Sequence, residues 1–167
     1  MHLLFVCTGN ICRSPTAERL SVAYAARLEI ADFTASSAGT RAVVGHAVHR
    51  DSEFALRKLG GDPSNFTARQ LTSKIASSAD LVLTMTRPHR DSVLELAPRQ
   101  LNRTFTLVEA ARLLFSVTRA ERHRGAAVEQ REHCADARRR GGRGLGQEGN
   151  SSILGNTVRN SATNPSL

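Results

Sequence analysis

The stretch HLLFVCTGNICRSP, residues 2–15, joins a short apolar run to a polar loop and then to a helix start. An apolar run of this length, residues 2–6, is typical of a strand buried on both faces in a parallel sheet. Pro15 suits the first position of a helix, with Ser14 as its cap. The stretch therefore predicts a strand, a loop and a helix in close succession.

Strand and helix patterns alternate over the rest of the first 118 residues. Alternation of this kind indicates an α/β protein with a central, mainly parallel sheet of four strands flanked by helices. The further strands are predicted at 33–37, 81–85 and about 103–106, and the further helices at 48–59, 71–76, 88–96 and 107–114.

The pattern breaks down after about residue 117. Residues 119–143 are dominated by Arg, Gly, Glu and Ala, and residues 144–167 by Gly, Asn and Ser. Such a composition offers little apolar surface to bury, so we expect a weakly ordered segment. The sequence thus predicts one domain over 1–118 and an atypical Arg/Gly-rich tail over 119–167. An altered reading frame in GC-rich DNA would encode a tail of this composition.

Composition and charge also limit the location and partners. No signal peptide is recognised and no apolar stretch reaches membrane-spanning length, so we expect a cytoplasmic protein with free thiols and no membrane partner. The domain and the tail each carry a net charge of +4. The arginines at 138–140 and 143 lack the interleaved aromatic residues that stack on bases, so nucleic acid is not favoured as a partner.

Three histidines, His46, His49 and His89, are candidates for bases or metal ligands. Their spacing to other His, Cys or Asp residues matches no metal site, and we interpret them as surface or loop residues. We expect neither a metal nor a cofactor.

The loop from Cys7 to Arg13 has the chemistry of an oxyanion site. Gly9 and Asn10 tolerate left-handed backbone angles, so consecutive N–H groups of residues 8–13 can face one cavity. Such a cavity at a helix N-terminus binds phosphate and favours the thiolate form of a cysteine. A buried core cysteine is the alternative interpretation of Cys7.

Two further side chains suit that chemistry. Arg13 can hold two phosphate oxygens at once through its planar guanidinium. Ser14 can donate a hydrogen bond to the thiolate, both when the sulfur attacks and when it leaves. The C-x5-R spacing thus predicts a thiol placed beneath a bound phosphate.

The loop and four later motifs together resemble the low-molecular-weight protein tyrosine phosphatase family. They follow one another in the family's order over about residues 1–115. The motifs are VCTGNICRSP at 6–15, SAGT at 37–40, VGH at 44–46, ARQLT at 68–72 and DLVLTM at 80–85.

The resemblance implies an enzyme that hydrolyses phosphotyrosine proteins and aryl phosphates through a phosphocysteine intermediate. Cys7 would be the nucleophile and Arg13 the phosphate clamp, with Ser14 beside them and with Asn10 and Ser37 as loop support. The phosphate-binding loop would comprise Thr8, Gly9, Asn10, Ile11, Cys12 and Arg13.

Cys12 matches the family's second loop cysteine, which can form a disulfide with the nucleophile under oxidation. The alternative interpretation, with equal weight, is that Cys12 is a small residue that faces the core.

The sequence departs from the family at the general acid, which is an Asp in an Asp-Pro pair late in the chain. Here Asp62-Pro63 comes too early, in a predicted turn, and Asp136 is a late aspartate followed by alanine. We therefore expect the activity to be impaired by the loss of the general-acid loop. Two other functions stay open: an arsenate reductase of the same fold, for which only Cys134 lies outside the loop, and a non-catalytic phosphate-binding module.

Overall fold

The computed structural model describes residues 1–119, and the predicted tail beyond them, with Cys134 and Asp136, lies outside the described residues. The predicted α/β class is confirmed. Strands are β1 (His2–Cys7), β2 (Thr34–Gly39), β3 (Leu81–Thr84) and β4 (Thr104–Thr106). Helices are α1 (Arg13–Arg27), α2 (Arg50–Lys58), α3 (Ser73–Ser77), α4 (Arg87–Leu96) and α5 (107–119), with a 3-10 helix at Pro98–Arg103 that the sequence patterns did not predict.

The four strands form one parallel sheet in the order β2-β1-β3-β4. The predicted four-stranded sheet is thus confirmed, and all its strand pairs are parallel. From β1 the chain runs first to β2 on one side and later returns to β3 on the other. Ligands of open α/β sheets bind at such a switch point, outside the carboxyl ends of the strands. Here the switch point lies between the loops that follow β1 and β3.

One face of the sheet carries the closed core. Leu4 and Val6 of β1, Val82 of β3 and Val93 of α4 are all fully buried there. Burying a side chain of this size stabilises the fold by roughly 1.5–3 kcal/mol. The packing of these residues fixes the position of β1 in the sheet and hence the position of the loop that follows it.

Among the described residues, the opposite face of the sheet is only partly covered. The helix α1 packs over β1 and β2, and beside it these residues leave a groove of about 810 Å³. Leu3 of β1 is half-buried and lines this groove, so the prediction that β1 is buried on both faces is wrong at this residue. Phe5, Leu20, Leu83, Met85 and Leu107 also line it.

Helix α5 begins with a reciprocal pair of hydrogen bonds. The N–H of Thr106 donates to the Glu109 carboxylate at 2.9 Å, and the N–H of Glu109 donates to the Thr106 hydroxyl at 3.2 Å. These bonds satisfy two N–H groups at the helix start, and the donation from Thr106 to the carboxylate lowers the pKa of Glu109. Within the described residues, no helix has both the length and the apolar character needed to cross a membrane.

Candidate active site

The thiol of Cys7 lies at the end of β1, only 2% of the residue being exposed. Helix α1 begins at Arg13, two residues before Pro15, and Cys12 is its N-cap without a side-chain hydrogen bond. The prediction that Ser14 caps the helix is therefore wrong. The Ser14 hydroxyl lies inside the first turn instead, and its oxygen is 2.9 Å from the Cys7 sulfur.

Four carbonyl groups of the loop are bonded away from its interior, to backbone N–H groups of residues 40–49. In a trans peptide the next N–H points the opposite way, so the N–H groups of residues 8, 9, 10 and 12 face the other side. The N–H of Asn10 identifies that side, because it reaches the Cys7 sulfur at 3.3 Å. The pairs, donor first, are Thr40–Cys7 at 2.9 Å, Arg41–Thr8 at 3.0 Å, Val43–Gly9 at 2.9 Å and His49–Ile11 at 2.7 Å.

Asn10 holds the loop from within. Its φ of 55° is left-handed, and the residue is fully buried. The amide nitrogen donates to the hydroxyls of Ser14 at 3.0 Å and Ser37 at 2.8 Å, while the amide oxygen accepts from the N–H of Arg69 at 2.8 Å. The structure therefore brings Asn10, Ser14 and Ser37 into one network around the thiol.

Two members of that network were missed by the sequence reasoning. The hydroxyl of Ser37 donates to the carboxylate of Glu18 at 2.6 Å, and Nε of Arg69 donates to the Ser37 carbonyl at 2.8 Å. Arg69 could have been found as part of ARQLT. Glu18 could have been inferred only from its position, one helical turn after Ser14.

His89 is buried, with 7% of the residue exposed, so its interpretation as a surface or loop residue is wrong. Its Nε2 lies 2.8 Å from the Thr8 hydroxyl and its Nδ1 lies 2.8 Å from the Thr86 hydroxyl. Burial and, to a smaller extent, the Arg13 guanidinium lower the pKa of His89 below its ordinary value. His46 and His49 are exposed, as expected.

Arg13 is exposed at the start of α1, and its guanidinium is close enough to His89 to lower the pKa of that imidazole. Within residues 1–119 no carboxylate lies at ion-pair distance from Arg13, and the first turn of α1 holds no acid. A helix N-terminus and a guanidinium without a carboxylate partner together favour an anion. Over the same residues, no group of three His, Cys, Asp or Glu side chains is placed to hold a metal ion.

The second loop cysteine, Cys12, is half-buried and lines the groove beside α1. Both Cys7 and Cys12 are free thiols. The disulfide that the resemblance implies under oxidation stays a prediction.

Of the two aspartates considered for the family's Asp-Pro acid, only Asp62 lies among the described residues. Asp62 lies in an exposed turn, where its carboxylate accepts bonds from the N–H and the hydroxyl of Ser64. These bonds lower its pKa, so it stays ionised and holds the turn. Asp136, the other candidate acid, lies outside the described residues.

Comparison with known protein families shows which family this chain matches. The sequence profile of the family described as low molecular weight phosphotyrosine protein phosphatase matches residues 2–112. The chain belongs to this family. The family resemblance expected from the motifs is confirmed.

Relatives within the low molecular weight phosphatase family cover only part of this chain. The Wzb phosphatase of Escherichia coli K12 is 36% identical over 97 residues, which are 58% of this chain and 63% of Wzb. A crystal structure of the family from T. tengcongensis has 38% identity and a TM-score of 0.60, covering 64% of this chain and 72% of that one. The chain thus spans less than two thirds of the length of Wzb.

A third relative is named for a different activity. The YwlE arginine phosphatase of Geobacillus stearothermophilus has 33% identity and a TM-score of 0.56. The match covers 64% of this chain and 66% of YwlE.

Proposed function

We propose that this protein hydrolyses phosphoric monoesters, with phosphotyrosine proteins as its substrates and Cys7 as the nucleophile. The observation that carries the proposal is the loop of residues 7–13. Its outward-bonded carbonyls leave N–H donors on the side of the thiol, and Arg13 adds a cation. The phosphate-like anion that fits these donors would sit directly over the sulfur.

In the first step, the Cys7 thiolate attacks phosphorus, so an S–P bond forms and the ester P–O bond breaks. The hydroxyl of Ser14 and the N–H of Asn10 stabilise the thiolate before attack. The loop N–H groups and Arg13 hold the non-bridging oxygens, and such fixed donors stabilise the charge of the transition state. The leaving oxygen takes a proton from an acid or from water.

In the second step, water attacks phosphorus and the S–P bond breaks. Inorganic phosphate leaves, the Cys7 thiolate is regenerated, and the proton from water passes to a base or to solvent. The same donors serve both steps, and no cofactor enters the cycle. Because the cycle needs a free thiol, we place the protein in a reducing compartment, the cytoplasm.

The likeness to YwlE supplies a second substrate class, phosphoarginine proteins. The P–N bond of phosphoarginine would break in the first step in place of the P–O bond, with the same loop and the same thiolate. An arsenate reductase is less well supported, because that chemistry typically uses a later pair of cysteines and the sequence has only Cys134 outside the loop. A non-catalytic phosphate-binding module would keep the loop and show no turnover.

Turnover of nitrophenyl phosphate by the full chain tests the proposal, followed by phosphotyrosine and phosphoarginine peptides at matched concentrations. Cys7→Ser should abolish turnover and keep phosphate binding, because the N–H donors and Arg13 stay in place. Cys12→Ser is the matched control and should keep turnover. Turnover by Cys7→Ser at the wild-type rate would remove Cys7 as the nucleophile, and phosphate binding without turnover in the wild type would favour the binding module.

A further inference from the structure

His89 lies at the switch point of the sheet, next to the loops that follow β1 and β3. It is on the first turn of α4, whereas Thr8 is the first residue of the loop after β1, eighty-one positions earlier. Because β1 and β3 are neighbours in the sheet, the loops at their carboxyl ends face each other. The imidazole bridges that gap and connects the two loops.

The bridge uses both ring nitrogens. Nε2 contacts the Thr8 hydroxyl and Nδ1 contacts the Thr86 hydroxyl, each at 2.8 Å. Since burial and Arg13 hold the pKa of His89 down, the ring is neutral at pH 7 and has one N–H and one lone pair. One threonine must therefore donate and the other accept, which fixes the direction of both hydroxyl groups.

Thr8 contributes to the phosphate site through its backbone. Its carbonyl is bonded to Arg41, and the N–H groups on either side of it, those of Thr8 and Gly9, face the thiol side of the loop. Rotation of residue 8 would turn both N–H groups away from a bound anion. A side-chain anchor on Thr8 limits that rotation.

We infer that His89 is a positioning residue for the anion-binding loop, which it holds through the Thr8 side chain against the start of α4. The inference rests on the proposed function of the loop as a phosphate site. His89 itself does not touch the substrate. Its loss should weaken phosphate binding and slow turnover together, because the same N–H donors serve both.

Two substitutions separate this role from a merely structural one. A glutamine amide lies as many bonds from the backbone as Nε2, so His89→Gln can keep the bond to Thr8. An asparagine amide corresponds to Nδ1, so His89→Asn can keep only the bond to Thr86. If His89 positions the loop, glutamine should rescue function and asparagine should not.

The measurement is the affinity of the full chain for inorganic phosphate, read as protection of Cys7 from alkylation by iodoacetamide. We expect His89→Gln to stay within about twofold of wild type and His89→Asn to bind phosphate about two- to tenfold more weakly, the range that one hydrogen bond supplies. His46→Gln and His46→Asn, at an exposed histidine, are matched controls and should change nothing. Equal affinity in His89→Gln and His89→Asn would overturn the inference.

The outcomes also separate this inference from the proposed function. Turnover of nitrophenyl phosphate by the wild type tests the proposed function alone, and phosphate protection is read whether or not turnover occurs. If the His89 variants do not fold, Thr8→Val and Thr86→Val replace them. Thr8→Val should then weaken phosphate binding and Thr86→Val should not; equal effects of the two would overturn the role of His89.

Discussion

Asn10 combines a left-handed backbone with three buried side-chain hydrogen bonds, and the two contributions can be measured separately. Asn10→Gly keeps the backbone angle at no steric cost and removes the three bonds to Ser14, Ser37 and Arg69. At about 1 kcal/mol each, they contribute roughly 3 kcal/mol to the free energy of unfolding. Asn10→Ala adds about 1–2 kcal/mol, because alanine resists the left-handed region.

The chain offers a matched control for this experiment. Asn65 has the same φ of 55° but is exposed, so its substitutions report the backbone cost without the buried bonds. We expect Asn65→Gly to change stability by less than about 1 kcal/mol through the unfolded chain. Asn65→Ala should cost about 1–2 kcal/mol more than Asn65→Gly.

Urea unfolding of the full chain gives the comparison. With an m-value of about 2 kcal/mol/M, the loss of roughly 3 kcal/mol lowers the unfolding midpoint by about 1.5 M. Asn10→Gly should show this shift, and Asn65→Gly should show almost none. Equal midpoints for the two glycine variants would refute the reasoning, since the buried network would then contribute nothing net to stability.

Three further outcomes follow from the site. If no acid replaces the missing Asp-Pro, turnover should fall steeply as the leaving-group pKa rises, because an acid contributes about 10²–10⁴-fold; a shallow slope that steepens in Asp136→Asn would instead make Asp136 the acid. After mild peroxide, dithiol should restore the wild type more fully than Cys12→Ser, since Cys12 can trap an oxidised Cys7 as a disulfide; equal recovery would leave Cys12 a packing residue. The lowered pKa of His89 predicts stability that is complete above its ordinary value of 6.5 and is lost as pH falls through the folded-state value; melting temperatures of wild type and His89→Gln that decline in parallel below pH 6.5 would contradict this.

Strands β1 and β3 were predictable because each is a short apolar run, and runs of this kind depend little on their neighbours. This reason does not apply to β2, TASSAG, or to β4, TFT, which hold few large apolar residues. The residues around Cys7 and Arg13 were predictable for a related reason, because the residues that give the loop its chemistry are consecutive in the sequence. The partial exposure of Leu3 was not predictable, because the cover over β1 depends on where α1 lies and how far it extends across the sheet.

His89 shows where local reasoning fails in the site. It stands in RPHRDS, a polar segment that reads as exposed, and its burial comes from the loop after β1, which no local pattern reveals. The Ser14 cap failed for a similar reason. The helix begins earlier than Pro15 suggests, because the N–H of Thr16 already bonds to the carbonyl of Cys12 at 3.1 Å, which places Arg13 in the first turn.

The anchoring of the loop also sets when, during synthesis, the site can first exist. Cys7 leaves the ribosome before residues 37, 69 and 89, which hold its loop. At about 5–20 residues per second, His89 follows Thr8 by roughly 4–16 seconds. Over that interval the nascent chain carries the thiol without the anchor that the β3–α4 crossover supplies. If the loop is the proposed phosphate site, the growing polypeptide reaches its full affinity for phosphate only when this crossover closes against β1.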